Sequence, residues 1–441
     1  MNNMSKEIKY MNLEQEEKYA AFVEDDLKNN RGRIVNSMVE IDYLIHHPEV
    51  CEIITKHYLN DILTYATLYS EYYKAYVNFK SLEDFPIVNK NVYRDHWEEI
   101  AVKEYRDLSD SRIKYTSGST GTPFQMILDR SRHGRWIAGN KVFRDMVGMK
   151  SHDKAVYVSA NITDKNIPLE RQRRDNVYYI DCVYLDDKGI DNFIGYLIEN
   201  EIHYMTILAS ALERICMAVK EGKVREWTGN FVGIVTMSDA LKESTRKAAS
   251  EYFQCPIYDM YGNEEFGVIA SEDGSENGKL INTADLYIEV LKLDQDTPAQ
   301  EGEIGRLVIT DLHNKAFPMI RYEIGDLASI KKDQEGKLYI NKLAGRQADM
   351  LYTTDGRPIF YFHCISLLEP YRDIRQFQLI QEDYHHFTWI LNTDNHNYEE
   401  MIVRFSKEMF GTDSEWKFEY VTEIPKLRSG KTKMTVCKII K

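Results

Sequence analysis

The chain has 441 residues, 43% of them apolar and 29% charged, with a formal net charge of -14. Such a length exceeds one simple hydrophobic core and calls for a large domain with at least one smaller companion. The acidic balance, with dispersed Lys and Arg, argues against a nucleic-acid-binding surface, which depends on clustered basic side chains.

Six cysteines, Cys51, Cys182, Cys216, Cys255, Cys364 and Cys437, lie far apart without a C-x-x-C pair. They read as buried thiols in a reducing compartment rather than as zinc ligands. Met1 to Met11 lacks the apolar run of a signal peptide, and nowhere do about eighteen apolar residues follow one another. A cytoplasmic protein without a membrane partner is therefore expected.

From Leu13 to about Glu104 the pattern is helical, with Ile62, Leu63, Ala66, Leu68 and Tyr72 recurring at short helical intervals and Pro86 marking a break. Between Arg112 and Tyr261, β-rich runs alternate with amphipathic segments: Arg112 to Thr116, Phe124 to Leu128, Ala155 to Ser159, Val177 to Ile180 and Phe231 to Met237. That alternation predicts a layered α/β domain. From Leu286 to Leu343 only strand-like runs remain, at Tyr287 to Leu293, Arg306 to Thr310, Ala328 to Ile330 and Lys337 to Ile340. Gly and Asp turns split them, as in a small β-barrel or a sheet extension.

Beyond Gly345 the pattern mixes a helix at His363 to Glu369, a strand at Phe387 to Leu391, a helix at Tyr398 to Met409 and a strand at Trp416 to Val421. The expected fold class is α/β: a large multi-layer α/β domain over 1–345, mainly helical over 1–105 and β-rich over 286–343, followed by a small mobile α+β domain over 346–441.

The most informative segment for chemistry is Tyr115-Thr116-Ser117-Gly118-Ser119-Thr120-Gly121-Thr122-Pro123, between two predicted strands. Two glycines let backbone N–H groups approach a ligand, and the Ser and Thr hydroxyls add donors, so the turn can form a nest for phosphate oxygens. It is not a Walker loop, because no Lys follows the second glycine at the required spacing.

This loop resembles the phosphate-binding signature of the adenylate-forming superfamily of acyl-CoA synthetases, adenylation domains and luciferases. Four further segments match that family in order: Tyr261-Gly262-Asn263-Glu264-Glu265 is similar to Y-G-x-T-E, and Arg321-Tyr322-Glu323-Ile324-Gly325-Asp326-Leu327 to Y-R-T-G-D-L. Gly345-Arg346-Gln347-Ala348-Asp349 resembles the G-R-x-D-D hinge, and Pro425-Lys426-Leu427-Arg428-Ser429-Gly430-Lys431 the terminal P-K-x-x-x-G-K. Within the superfamily the chain most resembles the phenylacetate-CoA ligase and CapK-like branch, through Ala66, the Tyr72-Tyr73 pair, Phe85-Pro86-Ile87-Val88-Asn89-Lys90 and Thr354-Asp355-Gly356-Arg357.

The resemblance implies an ATP- and Mg²⁺-dependent ligase that joins a carboxylic acid to AMP, expels pyrophosphate and passes the acyl group to CoA. It assigns catalytic roles to Lys431, Glu265 and Thr116, with Glu265 also the metal ligand. Nucleotide contacts fall to Ser117, Gly118, Ser119, Thr120, Gly121, Thr122, Tyr261, Gly262, Asn263, Glu264, Asp326 and Arg346, and the hinge to Asp349. Attack of a carboxylate on an α-phosphate brings two anions together, which is why a lysine and a metal ion are needed there. A carboxylate at 326 suits the two ribose hydroxyls, and a hard oxygen at 265 suits Mg²⁺.

Several positions depart from the family pattern. Glu264 stands in place of Thr or Ser and leaves open which of the two carboxylates faces the metal. Ala348 replaces the first Asp of the hinge, and Leu351-Tyr352 lacks the usual continuation, so an amide ligase using an amine acceptor stays open beside the CoA ligase. A non-catalytic nucleotide-binding scaffold is the alternative from another class.

Candidate acid-pocket residues are Ser159, Ala209, Ser238, Asp239 and Tyr258, with Asp239 expected to cap a helix starting near Leu241. Neither the acid nor the oligomeric state can be read from these residues.

Overall fold

The computed structural model describes residues 13–106, 111–116, 124–160, 167–185, 189–346, 350–359, 368, 371, 373–424 and 434–439. The strands in chain order begin with β1 (Arg112–Thr116), β2 (Phe124–Leu128), β3 (Ala155–Ser159), β4 (Val177–Asp181), β5 (Tyr204–Leu208), β6 (Gly233–Met237), β7 (Ile257–Asn263), β8 (Gly267–Glu272) and β9 (Lys279–Ile281). They continue with β10 (Leu286–Leu291), β11 (Gly305–Asp311), β12 (Tyr322–Lys332), β13 (Leu338–Arg346), β14 (Leu351–Tyr352), β15 (Pro358–Ile359), β16 (Gln376–Gln381), β17 (His386–Asn392), β18 (Glu415–Tyr420) and β19 (Thr435–Cys437). Two compact units result, residues 1–51 with 130–284 and residues 52–129 with 285–441.

In the first unit the strands lie in the order β9-β8-β7-β6-β5-β3-β4. Strands β4, β3, β5, β6 and β7 are parallel, whereas β7, β8 and β9 pair antiparallel. Parallel neighbours need crossovers, and the helices Leu169–Asp175, Gly189–Glu199, Ala209–Lys220 and Glu243–Phe253 supply them. One face of the sheet, with Val156, Val158, Met205, Ile207 and Ile234, packs on Leu212, Ile215 and Phe253. The sequence reading did not single out β5 because every one of its residues is buried and it runs straight into a helix. A strand covered on both faces loses the two-residue alternation that reveals a strand.

The helix Arg130–Asp145 is tied to the rest of this unit by buried charge. Arg132, 0% exposed, donates to the Phe266 carbonyl at 2.7 Å, and Arg135 donates to Glu40 at 2.8 Å.

In the second unit, β10, β11, β12 and β13 form an antiparallel run, beside a separate β1–β2 hairpin. Strand β12 begins six residues before the expected Ala328 to Ile330 segment. Gly325 and Asp326 read as a turn in sequence, yet Gly325 takes φ +83° within the strand, where register shifts absorb the irregularity.

Residues 376–437 build a second sheet in the order β18-β17-β16-β19. Its core holds Trp389, Phe387, Ile402 and Phe410, and the Trp389 indole donates to Ser406 Oγ at 3.2 Å. Glu415, Lys417 and Glu419 of β18 are exposed while Trp416, Phe418 and Tyr420 are half-buried, the alternation expected of a one-sided strand.

The helices Leu13–Asn30, Arg33–His46 and Pro48–Tyr69 lie within the stretch read as helical, and Glu399–Phe410 overlaps the helix expected at Tyr398 to Met409, although Leu68 is 56% exposed and lies off the stripe made by Ile62, Leu63 and Ala66. The helix expected over His363 to Glu369 lies, apart from residue 368, outside the described residues. No helix among the described residues is long and apolar enough to cross a membrane.

Candidate active site

The carboxyl ends of β3, β5 and β6 lie side by side in the first unit, and four of the five acid-pocket candidates sit there. Ser159 ends β3, Ala209 follows β5, and Ser238 and Asp239 follow β6. The chain order reverses between β3 and β5, the kind of switch point at which open parallel sheets leave a crevice for ligands. Ser238 adopts φ +73°, a left-handed conformation uncommon for a side-chain-bearing residue and frequent at ligand sites.

Asp239 does not cap a helix. The next helix starts at Glu243 with Lys242 in the capping position and no side-chain cap, which leaves Asp239 too far upstream to reach its first amides. Its carboxylate instead accepts a 2.7 Å hydrogen bond from Ser210 Oγ.

Tyr258 of β7 pairs with Val235, and burial raises its hydroxyl above the usual phenol range. Around this strand, Thr236 Oγ1 donates to Asp259 at 2.8 Å, and Asp259 pairs with Lys279 at 2.9 Å. Glu272 joins Lys279 at 3.5 Å and Arg246 at 2.9 Å. Burial works to raise Glu272, but Arg246 and Lys279 hold its carboxyl below the ordinary range. Sequence inspection missed this network because its members sit on separate elements with no fixed spacing.

Strand β7 continues past its parallel partner into the β7–β8 hairpin, which carries Tyr261-Gly262-Asn263-Glu264-Glu265 beyond the carboxyl edge of β6. A Cβ at Gly262 would sit 2.3 Å from the Gly267 carbonyl oxygen, so only glycine fits. Asn263 Oδ1 accepts from the Phe266 amide at 2.8 Å and closes the turn. Tyr261 is half-buried, Glu264 exposed and Glu265 8% exposed, so the two adjacent carboxylates occupy different environments.

In the second unit, Thr116 lies opposite Phe124 at the open end of the β1–β2 hairpin. Ser117, Gly118, Ser119, Thr120, Gly121 and Thr122, together with Asp349 and Lys431, lie outside the described residues. Asp326 and Arg346 are direct cross-strand partners on β12 and β13, so two motifs separated by twenty positions meet through antiparallel register.

The start of β12 is held by charge. Arg321, at φ +46°, pairs with Glu289 at 2.9 Å and donates to the Phe85 carbonyl at 3.1 Å. Val88 bridges the same segment through its amide to the Arg321 carbonyl at 3.0 Å and its carbonyl to the Glu323 amide at 2.8 Å. The Phe85-to-Lys90 stretch is thereby a brace for the strand that carries Asp326. Beside it, Asn89, Asp294, Asp296, Arg306, Glu323 and Gly325 line an open polar cleft of about 350 Å³.

Among the described residues no group of three His, Cys, Asp or Glu side chains can hold a metal ion. Glu265, 8% exposed, is a single hard-oxygen donor, the kind of carboxylate that a nucleotide-bound Mg²⁺ would take alongside phosphates and water.

Residues 351–438 match the family model described as the CapK C-terminal domain. Protein CapK of Staphylococcus aureus is 22% identical over 382 residues, covering 82% of this chain and 81% of that protein. The phenylacetate-coenzyme A ligase of Pseudomonas putida is 24% identical over 322 residues, 67% of this chain and 69% of that enzyme.

Among solved structures, 2-hydroxyisobutyryl-CoA ligase in the postadenylation state in complex with R3-HIB-AMP superposes with a TM-score of 0.66 at 14% identity, over 87% of this chain and 89% of that one. The anthranilate CoA ligase AuaEII in complex with anthranoyl-AMP gives 0.53 at 18% identity, over 73% and 65%. ATP-bound MatB from Rhodopseudomonas palustris gives 0.54 at 15% identity, over 73% and 66%. The chain has the α/β fold of these adenylate-forming CoA ligases, and its resemblance to the phenylacetate-CoA ligase and CapK-like branch extends from the motifs to the relatives.

Proposed function

We propose that this protein uses ATP to convert a carboxylic acid into its acyl-adenylate with release of pyrophosphate, and then transfers the acyl group to CoA. The observation that carries the reading is the β7–β8 hairpin, which presents Tyr261 to Glu265 at the carboxyl edge of a parallel sheet on a backbone only glycine at 262 allows. The fold shared with CoA ligases supports it.

In this reading Tyr261 lies against the adenine, and Asp326, aligned with Arg346, accepts hydrogen bonds from the ribose hydroxyls. The backbone and hydroxyls of Thr116 to Thr122 cradle the phosphates. Glu265 holds Mg²⁺, which supplies charge neutralisation at the phosphates when bound. Lys431 places its ammonium between the attacking carboxylate and the α-phosphate, offsetting the repulsion of two anions as they approach in line. Ser159, Ala209, Ser238 and Tyr258 bound the acid, and residues 346–441 turn about Asp349 between the two half-reactions.

The test is pyrophosphate release by purified protein with ATP, Mg²⁺ and a panel of acids, followed by product analysis with CoA or with amines. Lys431→Ala should lower the adenylation rate by about a hundredfold, as for removal of one preorganised charge contact. An unchanged rate, or no acid-dependent pyrophosphate from the wild type, would overturn the proposal; amides formed without thioesters would move the acceptor to an amine.

A further inference from the structure

The turn that carries Glu265 is tied down at two consecutive peptide groups. The Phe266 amide, part of the peptide that links Glu265 to Phe266, donates to Asn263 Oδ1 at 2.8 Å. The Phe266 carbonyl, part of the next peptide, accepts from Arg132 Nη2 at 2.7 Å. Each peptide group is planar, so a hydrogen bond to either end of it restrains the dihedrals that flank it. Glu265 therefore projects from a backbone whose two following peptides are held by Asn263 and Arg132.

A third restraint comes from Trp136, one helical turn beyond Arg132 on the same face of the helix Arg130–Asp145. Its indole occupies the space where residue 267 would carry a side chain: a Cβ on Gly267 would come within 2.6 Å of Trp136 Cδ1. Gly267 takes φ +78°, so the chain leaves the turn in a conformation suited to glycine.

The helix that supplies both side chains is itself anchored. Gly134 lies against Arg33 and Ile34 of the helix Arg33–His46, and Arg135 donates to Glu40 at 2.8 Å and to the Ala284 carbonyl at 3.3 Å. Arg130 donates to the Asn29 carbonyl at 2.6 Å. Arg132 thus reaches the turn from a fixed base.

Burying a guanidinium carries a desolvation cost that an apolar side chain of similar volume would avoid, so space-filling alone does not account for Arg132. What the guanidinium adds is a charge-assisted donor aimed at the Phe266 carbonyl. Mg²⁺ demands near-ideal octahedral geometry at short range, so it tolerates little error in the direction of an oxygen ligand. A turn free to rock would aim the Glu265 carboxylate correctly only part of the time.

We propose that Arg132, backed by Trp136, is a positioning residue for Glu265: by holding the Phe266 carbonyl it sets the direction in which the Glu265 carboxylate meets a divalent cation carried on a nucleotide. This deepens the adenylation reading and rests on it for the ligand, whereas the restraint on the turn does not depend on catalysis.

Two measurements on the full chain separate the claims. Hydrogen exchange without ligand should be faster in the amides of residues 262–267 in Arg132→Met than in the wild type, with β17 unchanged. Titration calorimetry then uses the non-cleavable probe α,β-methylene-ATP, with Mn²⁺ or with EDTA, and AMP with EDTA as the metal-independent probe. The wild type should bind the Mn²⁺ complex more tightly than the metal-free probe. Arg132→Met should weaken the Mn²⁺ complex about tenfold, the worth of one charge-assisted hydrogen bond, and leave AMP affinity within about twofold. Arg132→Lys, which keeps a charged donor, should recover part of the loss. Glu265→Gln should weaken the Mn²⁺ complex too, and Arg132→Met on that background should take nothing further, because both changes act through one carboxylate. Trp136→Phe should lose a few-fold and supplies the comparison where an arginine variant folds poorly. Unchanged exchange in Arg132→Met, no tightening by Mn²⁺ in the wild type, an AMP affinity that falls as far as that of the Mn²⁺ complex, or a further loss on the Glu265→Gln background overturns the inference. A wild type that binds neither nucleotide overturns the adenylation reading and the metal role with it, while the exchange result still decides whether Arg132 holds the turn.

Discussion

The β7–β8 hairpin of the first unit and the Arg321-to-Asp326 segment of the second both hold a short polar motif in an irregular backbone, and they do so by opposite means. The hairpin relies on a missing side chain, because at Gly262 the facing strand comes so close that a Cβ would lie 2.3 Å from a carbonyl oxygen. The Arg321 segment relies on a side chain that is present and charged, bound to Glu289 and to the Phe85 carbonyl, both on other elements. Local steric fit fixes a turn cheaply, whereas a left-handed arginine at the entry to a strand needs a buried ion pair to keep it there.

That contrast can be broken by substitution. Arg321→Ala should have the largest effect, a loss of about 4 kcal/mol, since it leaves Glu289 buried without its counter-charge. Denaturant unfolding would measure it, and a loss no larger than that of an exposed pair would mean the segment is held by its backbone alone. Gly262→Ala should cost about 2 kcal/mol from forced overpacking, and should weaken nucleotide binding as the hairpin shifts. A variant with unchanged unfolding midpoint and unchanged ATP affinity would show that the hairpin yields easily.

Near neutral pH the smallest effect sharpens the comparison from a third side, a titratable group buried in the first unit in its neutral form whose cost grows only on acidification. Burial, with Lys141 next, pushes the His152 imidazole down to about 3, and its ring packs 4.8 Å from that of Phe22. Below about pH 6.5 the unfolded chain takes up a proton that the folded chain refuses, so stability falls as pH drops toward 3, by about 1.4 kcal/mol per pH unit. Unfolding of the wild type and His152→Gln between pH 7 and pH 5 should diverge in slope, the wild type being steeper; parallel curves would show that His152 does not drive acid sensitivity.

Much of the architecture was legible because it rests on local rules. Glu399–Phe410 was visible from its period, and β17 and β18 from β-branched and aromatic runs. Strand β5 escaped because burial on both faces erased its alternation, and the early start of β12 escaped because Gly325-Asp326 is a turn signal that the sheet overrides with a bulge. At the site, Tyr261 to Glu265 and Asp326 stood out as short motifs, but the role given to Asp239 failed, since capping depends on where the helix begins and that lies at Glu243.

The sequence by itself determined the order of elements, the five motifs and the residue types that adenylation chemistry requires, because each of these is written in neighbouring positions. Only the tertiary structure decided that Asp326 pairs with Arg346 across β12 and β13, that Asp239 answers Ser210, and that Tyr157 and Tyr179 meet across β3 and β4. Those relations join positions tens of residues apart through strand register and helix packing, and no spacing along the chain encodes them.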